Sequence, residues 1–329
     1  MTIDRDLSSF DKTQIEDYDV LIVTALDDLE QVAVDLHLTA NSARRVPATD
    51  AELDIGITRW LLPNARIGMG SGDLKVLTKC LGAAGNANSA LEVAQLIYTQ
   101  PRPKLLIFCG IGGSLNPTKA QLGNVIVSES IHWRGYDKIS GKEMSQRMRS
   151  KKHLDYPVND VLLRHLRKYA KDIETGDASK SVVSFDSSSR DFIQKVTAWA
   201  QAVTKVDDAL RDDLIGFDPS IYFNRKVPIV KFGKIFSWDF VLNQKDVREE
   251  IYADDNGYRV VEMESGGISK AAKWATDYFK NTPTVNVVSI RGISDLCNEK
   301  VDDFFRDLSA DHAASFLVGF LAERYNPDF

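Results

Sequence analysis

The sequence predicts an α/β fold: one domain with a mixed, largely parallel central sheet flanked by helices. Three observations predict it. Short apolar, β-branched runs recur along the chain, helical periodicities fall between them, and acids and glycines cluster where the runs end. Val20-Leu21-Ile22-Val23-Thr24-Ala25 reads as a strand buried on both faces. Lys104-Leu105-Leu106-Ile107-Phe108-Cys109 reads alike and leads into the Gly-rich turn Gly110-Ile111-Gly112-Gly113. The runs 123–128, 228–232 and 285–290 continue the set. Helices are expected over 86–98, 267–279 and 310–322, the last with Ala313, Phe316, Leu317 and Phe320 on one face. Sites in such sheets lie beyond the carboxyl ends of the strands.

Composition narrows the class. A chain of 329 residues with 43% hydrophobic content has enough apolar material for a sizeable core. The net charge of -6 argues against a general grip on nucleic acid. Three scattered cysteines, Cys80, Cys109 and Cys297, show no metal-ligand spacing and suit a reducing compartment. The polar segment Met1 to Glu16 lacks an apolar signal core, and no apolar run has the length of a bilayer span. A cytoplasmic protein without membrane partner, metal or cofactor is expected. Residues 1–17 read as a tail and 18–329 as the domain. The polar, Ser- and Asp-rich stretch at about 175–226 reads as an insertion with weak helical patterns at 192–203 and 206–214.

Four motifs carry candidate chemistry. In Val261-Glu262-Met263-Glu264, two carboxylates follow an apolar run. On a strand this spacing puts both on one face, where like charges need neutralising, and the vicinal hydroxyls of a sugar could do so. The plain alternative is a solvated strand end. In Arg291-Gly292-Ile293-Ser294-Asp295, an acid follows a strand and a Gly turn, which suits an active site and equally a helix N-cap. In Ala25-Leu26-Asp27-Asp28-Leu29-Glu30, acids open a helix, as the macrodipole alone would favour. In Cys109-Gly110-Ile111-Gly112-Gly113-Ser114, backbone N–H groups can approach an anion or a base edge. The dinucleotide fingerprint and the Gly-Lys-Ser/Thr phosphate loop are both missing.

With Gly85-Asn86-Ala87-Asn88-Ser89-Ala90, Leu122-Gly123-Asn124-Val125-Ile126-Val127 and Ser237-Trp238-Asp239, these motifs stand in a familiar order. From Tyr18 to Leu321 the chain resembles the purine nucleoside phosphorylase/nucleosidase superfamily. It looks most like the methylthioadenosine/S-adenosylhomocysteine nucleosidases and the related nucleosidase domains of bacterial immune systems. The resemblance implies a nucleoside phosphorylase-like fold and cleavage of a purine N-glycosidic bond. Asp295 would hydrogen-bond and help protonate N7 of the base, with Ser294 beside it. Glu264, with Glu262 and Met263, would hold the ribose. Ile111 and Gly112 would line the site beside the nucleophile, and Val241 would pack on the base. The family's water-activating glutamate lies four residues after the alanine of the first motif. Leu29 stands there in this chain, leaving Glu30, one residue further on, or Asp28, one before.

A phosphorylase needs cations to hold phosphate. Phe108 and Cys109 occupy the place before the Gly-rich turn, and no arginine lies in 82–90, which favours water as nucleophile. Arg134 and the basic stretch Lys142, Arg147, Arg149, Lys151 and Lys152 form a candidate phosphate clamp, or else a solvated loop. The expected partner is therefore a purine nucleoside or a nucleotide such as AMP or ATP. Depletion of the latter would suit antiviral defence. A phosphorylase and a nucleotide sensor without turnover are the alternatives. The resemblance also implies a homo-oligomer, a dimer or hexamer.

Overall fold

A computed structural model describes residues 18–47, 56–66, 72–99, 102–134, 154–178, 182, 184, 192–198, 227–278, 284–298 and 305–327. The strands are β1 (Val20–Thr24), β2 (Arg44–Val46), β3 (Ile57–Pro63), β4 (Asp73–Cys80), β5 (Leu105–Ser114), β6 (Val125–Trp133), β7 (Leu154–Pro157), β8 (Val230–Ser237), β9 (Tyr258–Glu262) and β10 (Asn286–Asp295). The helices are α1 (Val32–Ala40), α2 (Asn86–Thr99), α3 (Asp160–Thr175), α4 (Lys245–Asp254), α5 (Ser265–Tyr278) and α6 (Phe305–Glu323), with a further helical segment at 192–198.

All ten strands belong to one mixed sheet. Parallel pairs join β1 to β4 and β5, β5 to β10, β6 to β8, and β8 to β9. Antiparallel pairs join β10 to β6 and β9 to β5, so β5-β10-β6-β8-β9 returns on itself as a ring. The strands β1, β4, β3 and β2 extend outward from β5. Ring closure removes the sheet edges on that side and fixes the strand ends relative to one another.

The core has two main layers. The faces of α1, α3 and α6 pack on one side of the sheet, with Leu38, Leu166, Phe316 and Phe320 fully buried. The faces of α2 and α5 cover the other side with Val93, Leu96, Ile268 and Ala272. Each such large side chain contributes about 1.5–3 kcal/mol by leaving water. Among the described residues no helix is long and apolar enough to cross a membrane.

Two predicted turns are strand. The segment Gly110-Ile111-Gly112-Gly113 continues β5 to Ser114, and Gly292 lies within β10. The glycines are there for close approach and not for a turn. A Cβ on Gly112 would meet the Val260 side chain and the Val261 carbonyl, and one on Gly292 would meet the backbone of Ser309 in α6. The segment 192–198 of the insertion is helical and packs Phe192 edge-on against Phe305, with ring centroids 6.1 Å apart. The tail, the pattern at 206–214 and the basic residues Lys142, Arg147, Arg149, Lys151 and Lys152 lie outside the described residues.

Candidate active site

The carboxyl ends of β1, β5, β9 and β10 surround a cavity of about 560 Å³. Its lining includes Glu30, Ile111, Gly112, Val241, Glu262, Met263, Glu264, Ser294 and Asp295. Nine residues named from the sequence therefore share one space. Asp28 does not join them: it is exposed on the outer side of its turn, and Glu30 is the acid turned inward.

The inward aim of Glu30 has a local cause. Residues Asp27–Gln31 form a π turn, with the amides of Glu30 and Gln31 both donating to the Leu26 carbonyl at 3.0 Å. The wider turn absorbs one extra residue before the α-helix resumes at Val32. Its carboxylate is then held by backbone. Oε2 accepts from Ala25 N at 2.7 Å and Leu26 N at 3.1 Å, and Oε1 accepts from Ile111 N at 2.8 Å. Oε1 keeps acceptor capacity for a further partner. Gly110 is required beneath it, because a Cβ there would strike both Glu30 and Arg291.

The paired carboxylates differ from expectation. The strand β9 ends at Glu262 and α5 begins at Ser265, so Glu264 lies in the connection and not on the strand. Glu262 Oε2 accepts from the amides of Glu264 at 3.0 Å and Ser265 at 2.8 Å, which caps the helix start. Their charge is balanced by Arg291, not by a sugar alone. Arg291 Nη2 donates to Glu262 Oε2 and, at 2.9 Å, to Glu264 Oε2, while Nη1 lies 3.7 Å from Glu30 Oε1. Its guanidinium carbon sits 3.8 Å from the centroid of the Phe108 ring. Burial opposes the Arg291 charge, but Glu262, Glu264 and Glu30 outweigh it and hold the guanidinium protonated above its ordinary range. Burial raises Glu264 from 4.5 to about 7, assisted by the Glu262 and Glu30 charges and opposed by Arg291. Glu264 Oε1 also accepts from Gly85 N at 3.3 Å. Glu262 Oε1 is buried without a hydrogen-bond partner among the described residues.

Across the cavity, Asp295 ends β10, and the next described helix begins at Phe305, so Asp295 is not a helix cap. Its Oδ2 accepts from the Ser294 hydroxyl at 2.9 Å and its Oδ1 from Cys297 N at 2.9 Å. The wall beside it comprises Phe240, Val241, Leu242 and Asn243. Val241 is 77% exposed and Phe240 63% exposed. Phe240, one residue before Val241, places an aromatic ring in the same lining and meets Trp238 edge-on at 5.1 Å.

Arg134 lies elsewhere. It is 8% exposed, its guanidinium sits 5.8 Å from the Trp238 ring, and it is not part of the cavity lining. Sequence reasoning gave no role to Arg291, Asn86 or Arg306. Asn86 is fully buried, accepting from Ser237 Oγ and Gly267 N at 2.8 Å and donating its own amide to Asp239 at 2.8 Å, so it ties β8 to α2 and α5. Arg306 lines the cavity beyond Cys297 and Asn298. Among the described residues, no group of three histidine, cysteine or acidic side chains is arranged to hold a metal ion.

The ringed sheet and the acids at its carboxyl end define a class. A family model described as "Phosphorylase superfamily" matches residues 65–322, and the chain belongs to that superfamily. Its fold is that of the nucleosidases within it. The S-adenosylhomocysteine nucleosidase of Streptococcus pyogenes, solved with 5-methylthiotubericidin, superposes with TM-score 0.56 at 15% identity, covering 94% of this chain and 98% of that one. The Streptococcus pneumoniae MTA/SAH nucleosidase, solved with 8-aminoadenine, gives 0.56 at 15%, covering 92% and 99%. The futalosine hydrolase of Helicobacter pylori gives 0.54 at 15%, covering 92% and 97%. No curated relative matches by sequence.

Proposed function

We propose that the chain hydrolyses the N-glycosidic bond of a purine nucleoside, releasing free base and sugar. One arrangement carries this reading: Glu30, Glu262 and Glu264 meet at Arg291 on one side of a cavity whose other side holds Asp295. Asp295 donates a proton to N7, so that the base departs as a neutral molecule. The C1′–N9 bond breaks and its electron pair goes to the base. Water adds to C1′ and gives its proton to Glu30. The ribose hydroxyls donate to Glu264, and the clustered negative charge stabilises the oxocarbenium-like sugar. Met263 packs on the sugar, and Val241 with Phe240 on the base.

Water is favoured over phosphate as nucleophile by charge. Arg291 is enclosed by three carboxylates, and the described lining carries four acids against Arg306. The same balance favours an uncharged nucleoside over AMP or ATP, and the nucleotide reading with its defence role depends on the basic stretch at 142–152. The test is release of free base from adenosine, methylthioadenosine, AMP and ATP, each with and without phosphate. Release from the nucleosides without phosphate is expected. A strict phosphate requirement would refute hydrolysis, and no release from any substrate would refute the enzyme reading.

A further inference from the structure

We infer that Arg248 is a positioning residue for Asp295, acting through the backbone of Leu296 and Cys297. The inference rests on the proposed role of Asp295 as the acid that protonates the leaving base. Arg248 lies one turn into α4 and is 2% exposed. A cation is expensive to bury without a partner. Here Nη1 donates to the Leu296 carbonyl at 2.8 Å, with Glu249 3.7 Å away and largely in solvent.

The bonded carbonyl belongs to the residue after the acid. Leu296 is itself 1% exposed, and Cys297 follows at φ 54, a left-handed conformation that a non-glycine residue holds only when its surroundings enforce it. The Leu296 carbonyl and the Cys297 amide belong to one planar peptide unit, so holding the carbonyl also fixes the amide that donates to Asp295 Oδ1. Gly113 leaves room for the arrangement, since a Cβ there would strike both Cys297 Sγ and Asp295 Oδ1. The chain of contact therefore runs from the guanidinium to the Leu296 carbonyl, to the Cys297 amide of the same peptide, to the carboxylate. The helix α4 also follows directly on the lining segment Phe240–Asn243, so Arg248 links that segment to the peptide after Asp295. Removing the clamp leaves Asp295 in place but frees its carboxylate to rotate, which weakens proton donation more than binding.

The test compares two substrates. A purine nucleoside needs a proton on its leaving group, whereas 4-nitrophenyl β-D-ribofuranoside loses a stable phenolate without one. In Arg248→Met, kcat on the nucleoside is expected to fall about 10- to 100-fold, with KM little changed and nitrophenyl riboside cleavage retained. In Arg248→Lys, whose ammonium can still donate to the carbonyl, the nucleoside rate returns at least in part. Equal loss on both substrates, or no loss on either, overturns the inference. If Arg248→Met does not fold, the ratio of the two rates in Arg248→Lys decides: a ratio lowered against the nucleoside supports the inference, and an unchanged ratio overturns it. Wild-type protein that cleaves no nucleoside would instead count against the proposed function.

Discussion

Arg291 Nη2 lies 2.9 Å from Glu264 Oε2, in a contact with 1% and 7% side-chain exposure at its two ends. The same nitrogen serves Glu262, and the other terminal nitrogen faces Glu30. One cation thus organises three acids contributed by two separate parts of the sequence. Replacing it with methionine would leave buried carboxylates uncompensated. Arg291→Met is expected to lose about 3–5 kcal/mol of stability, read from denaturant unfolding. A loss under 1 kcal/mol would mean the cluster is not charge-balanced by Arg291.

Glu264 links the cluster to pH. Its folded-state value is raised from 4.5 to about 7, so the folded protein holds a proton there that the unfolded chain has released. This stabilising contribution is complete below 4.5 and is lost as pH rises through about 7. Thermal unfolding across that window should show a fall in Tm with rising pH that is smaller in Glu264→Gln. An identical slope in the two proteins would count against the raised value.

Asp295→Asn should lower base release by roughly 10²- to 10⁴-fold while leaving Tm within a few degrees, since the amide keeps the shape and loses the acid. Full activity in this variant would remove Asp295 from the mechanism.

The π turn separates the two candidate bases. Glu30→Gln should abolish hydrolysis, and Asp28→Asn should leave it near wild type, because Asp28 is exposed outside the cavity. Deleting Asp28 should convert the π turn to ordinary α geometry with the glutamate still facing inward, and so keep measurable activity. Loss of activity on that deletion, with the fold retained, would show that the wide turn does more than absorb the extra residue.

Gly292→Ala should cost about 1–3 kcal/mol, because its new methyl group meets the Ser309 backbone and not a side chain that can swing away. Unchanged unfolding in this variant would contradict the tight β10–α6 contact.

Much of the sheet is legible in the sequence because strands buried on both faces read as unbroken apolar runs, as at 20–24 and 105–109. Their full length is not. Glycine signals a turn locally, yet in β5 and β10 it answers to atoms distant in the chain, the Glu30 carboxylate and the α6 backbone. The helix α3 was readable but not anticipated: Asn159 caps it, Leu162, Leu166, Tyr169 and Ile173 form its buried stripe, and Gly176 ends it at φ 82. Of the site, the acids were visible as motifs, and the order of those motifs brought them together. Arg291 carried a signal that went unused. A cation inside the apolar run Val288 to Ile293 must be buried against anions, and the acids at 262 and 264 were the available partners. The π turn left no local trace, since nothing in Asp27-Asp28-Leu29-Glu30 distinguishes one helical width from another.

The register of the ring has a metric consequence. Asp295 pairs with Gly113 on β5, and Gly113 pairs with Val261, the neighbour of Glu262, on β9. The backbones of Asp295 and of the β9 end that carries Glu262 are therefore held two strand spacings apart, roughly 10 Å. Side-chain motion can adjust that span only slightly, because main-chain hydrogen bonds set it. Under the proposed function, the sheet is the ruler against which a base joined to one pentose is measured.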